Sequence, residues 1–225
     1  MAQRMNFFRM RGAYSTLFAW LYNRTVADRI GVVYDDMLGR FLPEARPEST
    51  ILDVGCGPGH ATRRIALAKP DLRVTGVDLS EHMIARARRD GAGVPNLSFQ
   101  VGDAMNLPFP DGSFDEVVST ASIKHWPDPA RGVREMARVA RSGGHVMVLE
   151  VDRDADDAAI TNFVGRFLRP PGSLPLVRAY FRRFIGGQGS TRSELSRWIE
   201  GAGLTEVRGG QETRWPLVWA GGTKI

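Results

Sequence analysis

A doubly wound α/β fold is what this 225-residue sequence predicts: a seven-stranded, mostly parallel sheet with helices on both faces and a helical cap at the N-terminus. Three observations carry it. From residue 51 onward, short apolar runs alternate with stretches of helical periodicity, the pattern of parallel strands joined by crossover helices. A glycine-rich loop follows the first of these runs directly, and short acids stand just past the second and third. The N-terminal portion has another texture, helical up to the breaks at Pro43 and Pro47.

The elements follow in order. Tyr14, Leu17, Phe18 and Leu21 fall at helical spacing, and Val26, Ile30, Val33 and Met37 form a second stripe. They define a cap over residues 1–48, leaving 49–225 as the main domain. Ile51–Val54 reads as a strand, Ala61–Ala68 as a helix, Arg73–Val77 as a strand and Glu81–Arg89 as a helix. Leu97–Val101 and Phe114–Ser119 are the third and fourth strands, followed by a helix over Ala130–Ala140 and a strand over His145–Val151. A helical insertion at about 153–189 comes next, then a helix over Thr191–Gly201 and closing strands near Leu204–Arg208 and Thr213–Ala220. The sequence carries no internal repeat.

Composition narrows the function. One cysteine, Cys56, excludes a disulfide framework and a multi-cysteine zinc site. The net charge of +5 fits a nucleic-acid binder only superficially, because residues 51–150 hold 12 basic and 12 acidic groups. No basic run interleaves with aromatics, so no nucleic-acid partner is expected. Ala13–Tyr22 is an uncharged run of ten residues without a small-residue cleavage site, far short of the ~20 that span a bilayer. No stable membrane insertion is expected and the expected compartment is cytoplasmic. The oligomeric state is left open, a homodimer included.

In a doubly wound sheet the ligand sits beyond the carboxyl ends of the strands. The first strand runs into Asp53-Val54-Gly55-Cys56-Gly57-Pro58-Gly59-His60. Glycines there allow a tight turn and close backbone approach to a ligand, and the following helix start presents N–H groups. A dinucleotide fingerprint wants a third glycine where His60 stands, which argues against an NAD(P)-linked oxidoreductase. Asp78 emerges 19 residues after Gly59, placed to accept hydrogen bonds from both hydroxyls of a ribose. Asp103, after the third strand, is placed to accept from an exocyclic amino group of adenine.

With these residues the chain resembles the class I S-adenosylmethionine-dependent methyltransferases. The resembling segments are LDVGCGPG at 52–59, VTGVDLS at 74–80, GDAMNLPFPDGSFDEVVS at 102–119 and RVARSGGHVMVLE at 138–150. The last three of them, with Pro108-Phe109 and the Phe114-Asp115 strand start, are most similar to the small-molecule branch containing the ubiquinone and menaquinone C-methyltransferases, and TRSELSRWIEGAGLTEVR at 191–208 resembles that branch too. The resemblance implies a Rossmann-like fold, S-adenosyl-L-methionine as cofactor and S-adenosyl-L-homocysteine as product. It implies that Asp53 and the backbone of Gly55 and Gly57 hold the methionine end, with Cys56 and Gly59 completing the loop. Asp78 would clasp the ribose, with Leu79 and Met83 beside the adenine. Asp103 would take the adenine amino group, Ala104 would contribute backbone, Met105 would pack on the ring, and the Ser119 carbonyl would meet the cofactor ammonium.

Transfer from a sulfonium needs orientation and exclusion of water, and a base only where the nucleophile carries a proton. Ser119–Trp126 follows the fourth strand and would face the methyl group. His125 is its candidate base by intrinsic pKa, with a loop-organising role as the alternative; Lys124 reads as exposed or structural. No Asn-Pro-Pro-Tyr-like segment follows strand four, which weakens a nucleic-acid methyltransferase, and no metal site is expected. Cys56 reads as structural rather than nucleophilic. Tyr14, Phe18 and Tyr22 in the cap and Tyr180 and Phe181 in the insertion are the candidate pocket for a small acceptor, apolar or aromatic; sealing a helical layer is their alternative. The expected function is methyl transfer to an O or C nucleophile of a small organic molecule. A catalytically silent cofactor-binding protein remains an alternative, since the transfer needs no obligatory side chain.

Overall fold

The structure, a computed structural model, describes residues 47–166 and 171–225. The cap expected over 1–48, with Tyr14, Phe18 and Tyr22, therefore falls almost wholly outside the described residues. The strands are β1 (Thr50–Val54), β2 (Arg73–Asp78), β3 (Leu97–Val101), β4 (Phe114–Thr120), β5 (Ala140–Val151), β6 (Leu204–Gln211) and β7 (Leu217–Lys224). They form one seven-stranded sheet in the order β3-β2-β1-β4-β5-β7-β6. β1 pairs parallel with β2 and β4, β2 with β3 and β4 with β5, whereas β7 runs antiparallel to β5 and β6.

Side chains alternate across a strand, and the two cores follow that period. Leu52, Val54, Val117, Val146 and Val148 point to one face, where they meet helices α3 (Pro129–Val139) and α6 (Arg192–Gly201) through Val133, Met136, Leu195 and Ile199. Ile51, Val74 and Val118 point the other way, onto Ile65 and Ala66 of α1 (His60–Ala68). On that same face Phe99 of β3 packs against Ile84 and Ala87 of α2 (Glu81–Asp90). Ser80, Asp128 and Thr191 cap α2, α3 and α6 with side-chain oxygens, and Thr191 with Glu194 completes a capping box.

Two strands start elsewhere than expected. β5 begins at Ala140, not His145: a bulge opposite Phe114 and Glu116 and the positive φ of Gly143 let the chain enter the sheet directly from α3. The last strand starts at Leu217 rather than Thr213, because residues 213–216 turn to tuck Trp215 under the sheet. Trp215 is 0% exposed, packs with Leu149 and Leu217, and carries the guanidinium groups of Arg166 and Arg214 over its ring. The insertion between β5 and β6 folds into α4 (Asp157–Val164), α5 (Leu174–Tyr180) and the helical turns Phe181–Ile185 and Gly186–Gln188.

Candidate functional site

Strand order reverses between β1 and β4, so the crevice at their carboxyl ends is the place for a ligand. The chain leaves β1 through Gly55, Gly57 and Gly59, all with positive φ. Gly55 and Cys56 donate their N–H groups to the Val77 carbonyl at 2.7 and 3.0 Å, which pins the loop to the end of β2. The glycines serve different ends. A Cβ on Gly55 would lie 1.9 Å from Ser122 Oγ, and one on Gly59 would lie 2.6 Å from the Phe99 ring. A Cβ on Gly57 would meet nothing within 4 Å, so this glycine faces an open cradle.

Carboxylates stand at or just past the ends of the first three strands. Asp53 is buried; its Oδ2 accepts from Thr62 Oγ1 at 2.6 Å, while Oδ1 is enclosed without a partner. Burial pushes its carboxyl from 3.8 up to about 6, opposed by the Thr62 hydrogen bond and aided by the Asp78 charge. Asp78 accepts from Gly57 N–H and Ser80 N–H, each at 2.9 Å, one on each oxygen. Asp103 is exposed and accepts from Met105 N–H at 2.8 Å through Oδ1. Each of these carboxylates retains lone pairs for further donors. Leu79 projects into solvent, Met83 and Ala104 are half-buried, and Met105 is packed in the main core with Trp126. Ser119 is buried and its hydroxyl donates to the Val54 carbonyl at 2.9 Å, joining β4 to β1. Burial, with Asp53 and Asp78 nearby, pushes the Cys56 thiol up, which favours its protonated form.

The segment after β4 closes the other side. Ala121 takes a positive φ of 53° and donates its N–H to Leu149 O at 2.7 Å. Ser122 Oγ accepts from Trp126 Nε1 at 3.1 Å, bracing the residue that Gly55 lies against. His125 ends the short turn Ile123–His125 and is exposed. Desolvation, followed by the Lys124 ammonium and against the Glu150 carboxylate, pushes its pKa from 6.5 down to about 4. Its ring is neutral at pH 7 and able to accept a proton. Lys124 is structural: its ammonium lies 2.8 Å from Glu150 Oε1.

Sequence reasoning missed Thr62, Ser122, Trp126 and Glu150. Glu150 stood in the same strand-end position that had drawn attention to Asp78 and Asp103, so the same logic would have found it. Thr62 and Trp126 had no signal beyond nearness to the loop and to His125. Of the expected acceptor residues, Tyr180 is 54% exposed, whereas Phe181 is only 2% exposed. Phe181 offers no open surface, because its ring packs on Phe163 at 5.5 Å and seals the insertion with Ile160 and Val164. Among the described residues no cluster of His, Cys, Asp or Glu could hold a metal ion, and no helix is long and apolar enough to cross a membrane.

Comparison with known proteins follows the same segments. Residues 52–148 match the family described as a methyltransferase domain. The chain is 38% identical to the demethylmenaquinone methyltransferase of Desulfitobacterium hafniense over 112 residues, 48% of this chain and 44% of that one. It is 38% identical to the ajmaline N-methyltransferase of Rauvolfia serpentina over 145 residues, 62% of this chain and 48% of the relative. It is 42% identical to the 27-O-demethylrifamycin SV methyltransferase of Amycolatopsis mediterranei over 114 residues, 49% of this chain and 41% of the relative. The chain thus spans less than half the length of each of these relatives. A solved SAM-dependent methyltransferase from Aquifex aeolicus shares the fold, with a TM-score of 0.68 at 17% identity over 92% of this chain and 98% of that one.

Proposed function

We propose that this chain, which carries a methyltransferase domain over residues 52–148, transfers a methyl group from S-adenosylmethionine to an O or C nucleophile of a small apolar or aromatic molecule. The observation that carries the reading is Asp53 Oδ1, a buried carboxylate oxygen without a partner near the end of β1, two residues before the glycine loop begins. A buried, unpaired acceptor is costly, and a ligand ammonium relieves that cost. The remaining acceptors suit the rest of such a cofactor, with Asp78 for the ribose hydroxyls and Asp103 for the adenine amino group. The relatives named above support a small-molecule acceptor. The NAD(P)-linked alternative finds no support, since His60 opens α1 where that fingerprint needs glycine.

When bound, the cofactor supplies an electrophilic methyl on a sulfonium. The chain's own part is to bind, orient and exclude water. The glycine loop brings backbone against the ligand, while the Asp53, Asp78 and Asp103 carboxylates fix its polar ends. The turn Ile123–His125 bounds the acceptor side, and neutral His125 takes the proton from an acceptor hydroxyl. Being held near 4, it is a weak base, suited to a proton that leaves as the new bond forms.

Two measurements test this. Calorimetry should detect binding of S-adenosylmethionine or S-adenosylhomocysteine and none of NAD; NAD binding without either sulfur compound would overturn the reading. A labelled-methyl screen across lipidic quinols, phenols and nucleic acids should give label in the first two classes. Label confined to nucleic acids would overturn the small-molecule acceptor.

A further inference from the structure

We propose that the Lys124–Glu150 pair is a positioning device, in which Glu150, acting through Lys124, sets the placement and protonation of His125. The effect on rate rests on the methyltransferase reading above; the effect on the imidazole does not.

Glu150 lies near the end of β5 with its side chain 0% exposed, and Lys124 beside it is 11% exposed. One carboxylate grips a single residue twice. Its Oε1 accepts from Lys124 Nζ at 2.8 Å and its Oε2 accepts from Lys124 N–H at 3.1 Å. Oε1 also accepts from Val151 N–H at 2.6 Å, and Lys124 Nζ donates in turn to the Ala121 carbonyl. The residue next to His125 is thereby fixed to β5 by main chain and side chain together. The left-handed Ala121 and its hydrogen bond to Leu149 fix the near end of the turn to the same strand. Trp126 and Ser122 brace the far end against Gly55. The backbone on both sides of His125 is therefore held by these ties rather than by the turn's own preference.

Packing alone does not call for ions here. Apolar residues of similar volume would fill the space without the desolvation cost of a buried pair. They would not hold the Lys124 N–H, nor would they set the potential at the imidazole. The turn packs on β5 and α3, where Asp128 and Arg131 at the helix start are exposed. Of the charges beside His125, Lys124 opposes its protonation and Glu150 favours it.

The test is NMR titration of 15N-histidine-labelled apoprotein, with His125 assigned by its loss in H125N. K124M should raise the His125 midpoint and E150Q should lower it, while K124R should stay near wild type. A merely structural pair would move both variants alike or neither, and either result overturns the proposal. In steady-state methyl transfer, E150Q should lower kcat at least tenfold with KM for S-adenosylmethionine within twofold. Wild-type kcat in folded E150Q overturns the positioning role while leaving the methyltransferase reading intact. Absence of transfer to any acceptor counts against that reading alone, and the titration still decides the pair. Should a single variant unfold, the uncharged K124M/E150Q double should titrate between the singles and show reduced kcat. A double variant with wild-type kcat overturns the proposal.

Discussion

At Asp53, Thr62 satisfies one carboxylate oxygen and burial leaves the other alone, so the free protein holds this group ionised at a cost. A rise from 3.8 to about 6 corresponds to roughly 3 kcal/mol. The folded carboxyl keeps its proton to higher pH than the unfolded one. Its stability contribution is therefore complete below about 3.8 and lost as pH rises through about 6. Asp53→Asn should remove that slope: the stability of wild type relative to D53N, measured by urea unfolding, should fall between about pH 4 and pH 6. The same variant should bind S-adenosylhomocysteine more weakly by calorimetry, since the ligand ammonium loses its counter-charge. His125 has the opposite sign. Its folded pKa lies below its unfolded 6.5, so stability falls as pH drops from 6.5 towards about 4. Asp78 holds the loop through Gly57 N–H, and in the proposed function it takes the ribose as well. Asp78→Ala should weaken cofactor binding by ~1.5–3 kcal/mol, the range for hydrogen bonds to a charged group. An unchanged dissociation constant in folded protein would remove the ribose role.

Among the elements, the glycine loop separates conformational need from space. Gly55→Ala suffers both a positive φ and a Cβ 1.9 Å from Ser122 Oγ, so it should lose well over ~2 kcal/mol of stability in urea unfolding. Gly57→Ala has open space and bears only the left-handed penalty, ~1–2 kcal/mol. Its methyl group projects into the cradle, so G57A should stay folded and lose cofactor affinity. Equal stability losses in the two variants would contradict the packing of Gly55 on Ser122. The turn before β7 is the second informative element. Trp215→Ala should cost ~3–5 kcal/mol, because it empties a wholly enclosed site beneath Leu149 and Leu217. A loss below ~1 kcal/mol in urea unfolding would contradict that burial.

For the whole molecule, the two helical layers close the sheet's faces and leave its carboxyl edge to the ligand. Occupation of that edge should stabilise the native state by mass action, ~2.7 kcal/mol at ligand 100-fold above Kd. A rise in Tm with S-adenosylhomocysteine and none with NAD checks it. Much of this was legible in the sequence because it is local. A glycine loop after an apolar run, and acids at the ends of the next two strands, are set by strand period and turn chemistry within a few residues. The parallel strands and crossover helices follow from the same alternation. The start of β7 was not legible, because an apolar stretch around Trp215 serves a strand or a tucked turn equally well until the satellite core is present. Phe181 misled for a related reason: an aromatic in a helical insertion has the same sequence signature whether it lines a pocket or seals a layer. What the sequence determined by itself is the loop and its carboxylates, since backbone geometry places them wherever such a sheet forms. What only the tertiary structure decided is their condition: the orphaned oxygen of Asp53, the contact of Gly55 with Ser122, and the Lys124–Glu150 pair beside His125. Those depend on which strands become neighbours and how much water they exclude, and desolvation is a property of the assembled fold rather than of any segment.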